Sequence, residues 1–205
     1  MIKLLIFDFD GTIADTRNIY INSIYLFVRK LNYNFTKVQI ENALGPKLRE
    51  SLQNLGIKNE MHIKKIRDKV HEFIIKKAGK VKICADVKES LRKIKESNIK
   101  TALVTNSIGH FIDIILKKNG IKKYFNKILC AEDFTIKETA FKSLFRQFKV
   151  KPKETVYIAD RILDVKIAKK VGCNYIIVLA CSWDKKKFRN QSFLIDNMHD
   201  ILVKL

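Results

Sequence analysis

From Val81 onward the chain alternates short, uninterrupted apolar runs with stretches of helical periodicity, and this rhythm narrows the fold more than any other feature. The runs cover residues 101–104, 128–130, 155–158 and 175–179, with an equivalent one, Leu4-Leu5-Ile6-Phe7, near the start. A strand that is apolar at every position must be covered on both faces, because its side chains alternate between them. Between the runs a helix is expected from Asp86 to about Ser97. Phe111, Ile114 and Ile115 mark a second helix, Phe141, Leu144, Phe145 and Phe148 a third, and Leu163, Ile167, Ala168 and Val171 a fourth. Gly120 and Gly172 stand where two of these stop. The expected architecture is α/β: a parallel sheet with helices on both faces.

Residues 16–80 break the rhythm. Tyr20, Ile24, Phe27, Val28 and Leu31 recur at helical spacing, and Thr36 with Gln39 forms a capping box that opens a second helix ending near Gly45-Pro46. Leu48, Leu52 and Leu55 predict a short third helix closed by Gly56. Ile63, Ile66, Val70, Phe73 and Ile74 predict a fourth, stopped around Gly79. No strand pattern interrupts them. The expected division is therefore a sheet-bearing core of residues 1–15 and 81–205, with an all-helical insert of residues 16–80.

In such sheets ligands gather beyond the carboxyl ends of the strands. The first strand ends on Asp8-Phe9-Asp10-Gly11-Thr12. Its two carboxylates, one residue apart, point the same way, and a divalent cation is the cheapest neutraliser of such a pair. Thr105-Asn106-Ser107 offers a hydroxyl, an amide and free N–H groups to an anion. Lys137 supplies a cation beyond the next strand. Asp160 and Asp164, four apart at a strand-to-helix turn, complete an oxygen-rich site for a hard cation. Glu132 and Asp133 are expected to be turn residues.

These motifs, in this order, resemble the haloacid dehalogenase-like hydrolase superfamily, most of whose members are Mg2+-dependent phosphatases. The resemblance runs from Ile2 to about Leu179. It implies a Rossmann-like core with a helical cap inserted between the first two motifs. It makes Asp8 a nucleophile that becomes an aspartyl-phosphate, and Asp10 the acid and later the base. Thr105 and Asn106 then belong to the phosphate site with Lys137, although Glu138 replaces the proline that usually follows the lysine. Mg2+ is expected on Asp8, the main-chain carbonyl of Asp10, and Asp160, with Asp164 behind them. A carboxylate at Asp10 favours phosphatase over dehalogenase chemistry, because halide needs no proton to leave. Arg161 departs from the family pattern. It could pair with a site carboxylate, reach a substrate anion or face solvent. Leu44-Gly45-Pro46-Lys47-Leu48 resembles a cap loop of phosphoglycolate phosphatase-like members, where Lys47 and Arg49 could meet a second anionic group.

The expected activity is thus hydrolysis of a small phosphorylated metabolite. A phosphomutase would share every motif, and a nucleic-acid binder on a hydrolase-like core is the remaining alternative. The net charge of +20 attracts anions of any kind. It is densest from Arg17 to Lys80, with 14 Lys/Arg against 5 Asp/Glu. Aromatic residues are not interleaved with the basic ones as a nucleic-acid groove would want, so nucleic acid is not the expected partner. No apolar stretch is long enough for a bilayer, and Asp8 and Asp10 interrupt the first one, unlike a secretory signal, so the cytosol is the expected compartment. Cys84, Cys130, Cys173 and Cys181 lack close-pair spacing and are expected to be reduced, mostly buried thiols. The sequence carries no indication of oligomeric state.

Overall fold

The computed structural model describes residues 1–184, 188 and 193–204. The chain divides into two compact units, one of residues Met1–Asp15 and Lys82–Leu205, the other of Thr16–Val81.

The first unit is built on a six-stranded parallel sheet, in the order β5-β4-β1-β6-β7-β8. Its strands are β1 (Leu4–Phe7), β4 (Lys100–Val104), β5 (Lys127–Leu129), β6 (Thr155–Ala159), β7 (Asn174–Val178) and β8 (Leu194–Ile195). β1 lies inside the sheet, with Leu4 to Phe7 matched in parallel to Lys100 to Leu103 on one side and to Thr155 to Ile158 on the other. Chain order reverses at β1, which creates the crevice where α/β sheets bind ligands. All four β1 residues are buried, as a run apolar on both faces requires.

The helices of this unit are α5 (Val87–Glu96), α6 (Gly109–Lys118), α7 (Lys137–Phe148), α8 (Ile162–Val171) and the short α9 (Ile201–Lys204). Phe141, Leu144 and Phe145 of α7 and Ala168 and Val171 of α8 pack in one core with Leu4, Ile6, Val104, Tyr157 and Ile177. Gly172 ends α8 in the left-handed conformation, φ +77°, which a side chain rarely adopts.

Three sequence expectations change. In α6 the core positions are Phe111, Ile112, Ile115 and Leu116, so Ile112 takes the place expected of Ile114. In α8 Leu163 is turned outward and Asp164 inward, because the helix presents a carboxylate to the strand ends rather than another aliphatic group. Cys84 and Cys181 are not free thiols. They form a disulfide across a separation of 97 residues, with Cα atoms 6.0 Å apart, whereas Cys130 and Cys173 are buried and free. Sequence spacing could not reveal that bridge, since its partners lie on distant segments brought together by the sheet.

A two-stranded antiparallel ribbon, β2 (Ala14–Asp15) with β3 (Lys82–Ile83), marks where the chain leaves and rejoins this unit. It is too short to show a period in sequence.

The second unit holds four helices, α1 (Arg17–Arg29), α2 (Lys37–Ala43), α3 (Leu48–Asn54) and α4 (Glu60–Lys77). The Thr36 box forms as the sequence implies: Gln39 N donates to Thr36 Oγ1 at 3.2 Å and Thr36 N to Gln39 Oε1 at 2.8 Å. The loop at Gly45 is pinned by Gly45 N donating to Ser51 Oγ, and Asn54 Nδ2 to the Ala43 carbonyl. Arg49 pairs with Glu60 at 2.7 Å.

Candidate active site

Asp8 follows β1 directly. Its N–H donates to the Ile158 carbonyl at 2.9 Å, so the strand ladder continues through the residue and fixes its backbone. The side chain is buried, and Lys137 Nζ donates to its Oδ1 at 2.9 Å. Lys137 is the first residue of α7 and is itself buried. A charged pair out of water is costly unless it is well paired, and here each partner has the other.

Burial raises the Asp8 carboxyl to about 7. Lys137 pulls against that shift, and repulsion from Asp164 and Asp10 adds to it. Burial also opposes the Lys137 ammonium, yet the charges of Asp8 and Asp164 outweigh it and the net shift is upward.

β6 delivers Asp160, which is fully buried. Trp183 N donates to its Oδ2 at 2.8 Å, and Ser182 Oγ to its main-chain carbonyl at 2.6 Å. Its other oxygen, Oδ1, is buried with no hydrogen-bond partner. Burial, then Asp164 and Asp8, pushes this carboxyl well above the usual range. Gly11 is what lets the first loop approach it. Gly11 has φ +76°, and a Cβ there would lie 2.7 Å from Asp160 Cγ and closer still to its Oδ2.

Asp164, in the first turn of α8, accepts from Tyr157 Oη at 2.8 Å and from Arg161 N at 3.2 Å. One carboxylate oxygen from each of Asp8, Asp160 and Asp164 lies within 4.8 Å of the others. Asp164, expected behind Asp160, has a carboxylate oxygen in the same cluster. An all-oxygen donor set with one orphaned carboxylate oxygen fits a hard divalent cation.

The Asp10 carboxylate turns instead to the loop after β4. Ser107 Oγ donates to Asp10 Oδ2 at 2.6 Å and Thr105 Oγ1 at 3.4 Å, while Ser107 N donates to Thr105 Oγ1 at 3.0 Å. Asn106 follows Thr105, with its Oδ1 buried and unpartnered. Thr105 is not a helix cap, since α6 begins only at Gly109 with Ile108 before it. Asp133 accepts locally from Cys130 N, and Glu132 accepts from Gly109 N at the start of α6, 23 residues away. Arg161 stacks over Trp183, its guanidinium carbon 5.5 Å from the ring centroid, and its Nε lies 3.9 Å from Asp184.

The seven expected residues therefore stand beyond the ends of β1, β4 and β6, at the start of α7 after β5, and in the first turn of α8. Tyr157, Ser182 and Trp183 were missed as site residues, as was the bond from Ser107 to Asp10. A lone phenol in an aliphatic strand was a usable signal for Tyr157. Ser182 and Trp183 had none, because only the tertiary fold brings their segment to Asp160.

The chain is similar to known proteins in sequence and in fold. The profile described as haloacid dehalogenase-like hydrolase matches residues 5–178. The chain is 28% identical to a phosphoglycolate phosphatase of Vibrio parahaemolyticus, over 84% of this chain and 81% of that protein. It is 21% identical to the pyrophosphatase PpaX of Oceanobacillus iheyensis, over 98% and 96% respectively. The crystal structure of CbbY from Rhodobacter sphaeroides in complex with phosphate superposes with a TM-score of 0.83 at 17% identity, over 100% of this chain and 99% of that one. The chain belongs to the haloacid dehalogenase-like hydrolase family. It is an enzyme, a phosphatase of that family. Among the described residues no helix is long and apolar enough to cross a membrane.

Proposed function

We propose that this enzyme is a Mg2+-dependent phosphomonoesterase that hydrolyses a small phosphorylated metabolite through an aspartyl-phosphate on Asp8. The observation that carries this reading is the buried Asp8 carboxylate, held by Lys137 at 2.9 Å beside the orphaned oxygen of Asp160. A carboxylate so placed is a nucleophile with its counter-charge already in position.

Asp8, Asp160 and the Asp10 carbonyl would hold Mg2+, with Asp164 completing the acid cluster, and the ion would neutralise charge between nucleophile and phosphate. Thr105, Asn106 and Lys137 bind the transferring group. Asp8 attacks phosphorus while Asp10 protonates the leaving oxygen, and Asp10 then takes a proton from the water that cleaves the acyl-phosphate. The bonds from Ser107 and Thr105 hold Asp10 in one orientation for both transfers. Residues 16–81 serve as the cap that selects the substrate.

The relatives divide the substrate question. One is named for phosphoglycolate; the other, matched over nearly the full length of both chains, is named for pyrophosphate. Both demand the same attack by Asp8 and differ in the leaving group. Phosphate release from an aryl phosphate, phosphoglycolate, pyrophosphate and neutral sugar phosphates, with Mg2+ and with a chelator, tests the reading. Asp8→Asn should lower Mg2+-dependent release by at least about a thousandfold. Turnover retained in that variant, or metal-independent turnover in the wild type, rejects the assignment. Group transfer between sugar hydroxyls without phosphate release would mean a mutase.

A further inference from the structure

Tyr157 sits in the middle of β6, fully buried, with Val156, Ile158 and Ala159 as its apolar neighbours in the strand. Its ring packs edge-to-face on Phe141, centroids 4.8 Å apart and planes at 88°. That packing explains an aromatic ring but not its oxygen. The hydroxyl lies between two charged groups: Lys137 Nζ donates to it at 2.8 Å, and it donates to Asp164 Oδ1 at 2.8 Å.

The direction of both bonds is forced. An ammonium has only protons to give and an ionised carboxylate only lone pairs, so the single phenolic proton goes to Asp164 and an oxygen lone pair receives Lys137.

Lys137 Nζ is 2.9 Å from Asp8 but 3.5 Å from Asp164. Two carboxylates therefore compete for one ammonium, and the phenol accepts from Lys137 while giving Asp164 a donor at 2.8 Å, nearer than the ammonium at 3.5 Å. We infer that Tyr157 is a positioning residue: it satisfies Asp164 by hydrogen bonding, and so keeps the Lys137 ammonium on Asp8. Without the hydroxyl, Asp164 would lose a hydrogen bond in a buried site, and the lysine is the nearest donor that could replace it. The ammonium would then shift toward Asp164, leaving Asp8 with less of its counter-charge and the transferring phosphate with a displaced cation. This inference rests on the phosphatase reading for its consequence in turnover, but not for its geometry.

Tyr157→Phe keeps the ring and removes only the oxygen. We expect kcat to fall by about tenfold or more, while KM stays within about threefold and the circular dichroism spectrum is unchanged. A purely structural role would lower thermal stability without that split. The second readout needs no activity: the side-chain ammonium resonance of Lys137 in 15N-detected NMR, identified by its loss in Lys137→Met. In Tyr157→Phe this resonance should move or vanish by exchange. A kcat within about twofold of wild type, or an unmoved ammonium resonance, overturns the inference. If Tyr157→Phe does not fold, a nuclear Overhauser contact between the Tyr157 hydroxyl and the Lys137 ammonium in the wild type decides it, and its absence is the negative result. Should the wild type show no phosphatase turnover at all, the functional reading fails and the resonance alone decides the positioning role.

Discussion

Asp8 carries the sharpest consequence at the level of single residues. Its carboxyl stands at about 7 in the folded protein against an ordinary 3.8. The folded state therefore holds a proton that the unfolded chain releases between those values. Stability from this group is complete below the ordinary value and is lost as pH rises through 7. The metal-free protein should lose thermal stability across that interval, and Asp8→Asn should flatten the loss, because an amide does not titrate. Mg2+ should restore the wild type at pH 8, since a cation favours the ionised carboxylate. Melting curves with and without chelator check this; a wild-type slope equal to that of Asp8→Asn would contradict it. Gly11 shows the same economy of space, since its missing side chain is what allows Asp160 to approach the first loop.

Among the elements, the segment from Cys181 to Asp184 is tied at both ends. The disulfide to Cys84 anchors its start, while Ser182 and Trp183 grip Asp160. Reduction by a dithiol, or Cys181→Ser, should free that start and weaken the grip. The expected result is a several-fold rise in the Mg2+ concentration needed for half-maximal turnover, and a loss of about 2–4 kcal/mol in stability. Metal titrations of oxidised and reduced enzyme measure both, and coincident titration curves would count against the coupling. α8 makes a related point about register. Its sequence invited Leu163 into the core, but the Asp164 carboxylate accepts from Tyr157 Oη and Arg161 N and is the side chain that faces inward.

For the whole molecule the dominant quantity is the net charge of +20. Exposed charges of one sign raise the local concentration of anionic substrates, and salt screens them over about 8–10 Å. With a phosphomonoester substrate, KM should rise between about 20 and 300 mM salt while kcat holds nearly constant, because Lys137 is buried and poorly screened. Steady-state kinetics over that range test it. A fall in kcat with KM unchanged would place the salt effect in the chemistry instead. Of the fold, the six-stranded sheet was legible through five of its strands, because apolar runs and helical periods are local properties. β8 and the β2–β3 ribbon were not, since two residues cannot show a period. Of the site, the acids and the hydroxyl were legible by their place at strand ends and the first turn beyond, and the lysine by the resemblance to the family.

The amino-acid order alone dictated where strands stop, and hence that Asp8, Asp10, Thr105 and Asp160 would share one edge of a parallel sheet, whereas Lys137 was singled out by the resemblance to the family. Only the folded chain decided how those groups divide their partners: Asp164 into the acid cluster, Tyr157 between lysine and carboxylate, Cys84 onto Cys181. Periodicity is written in neighbouring residues, whereas a hydrogen bond between positions 129 apart, such as Lys137 to Asp8, exists only once the sheet has brought them together.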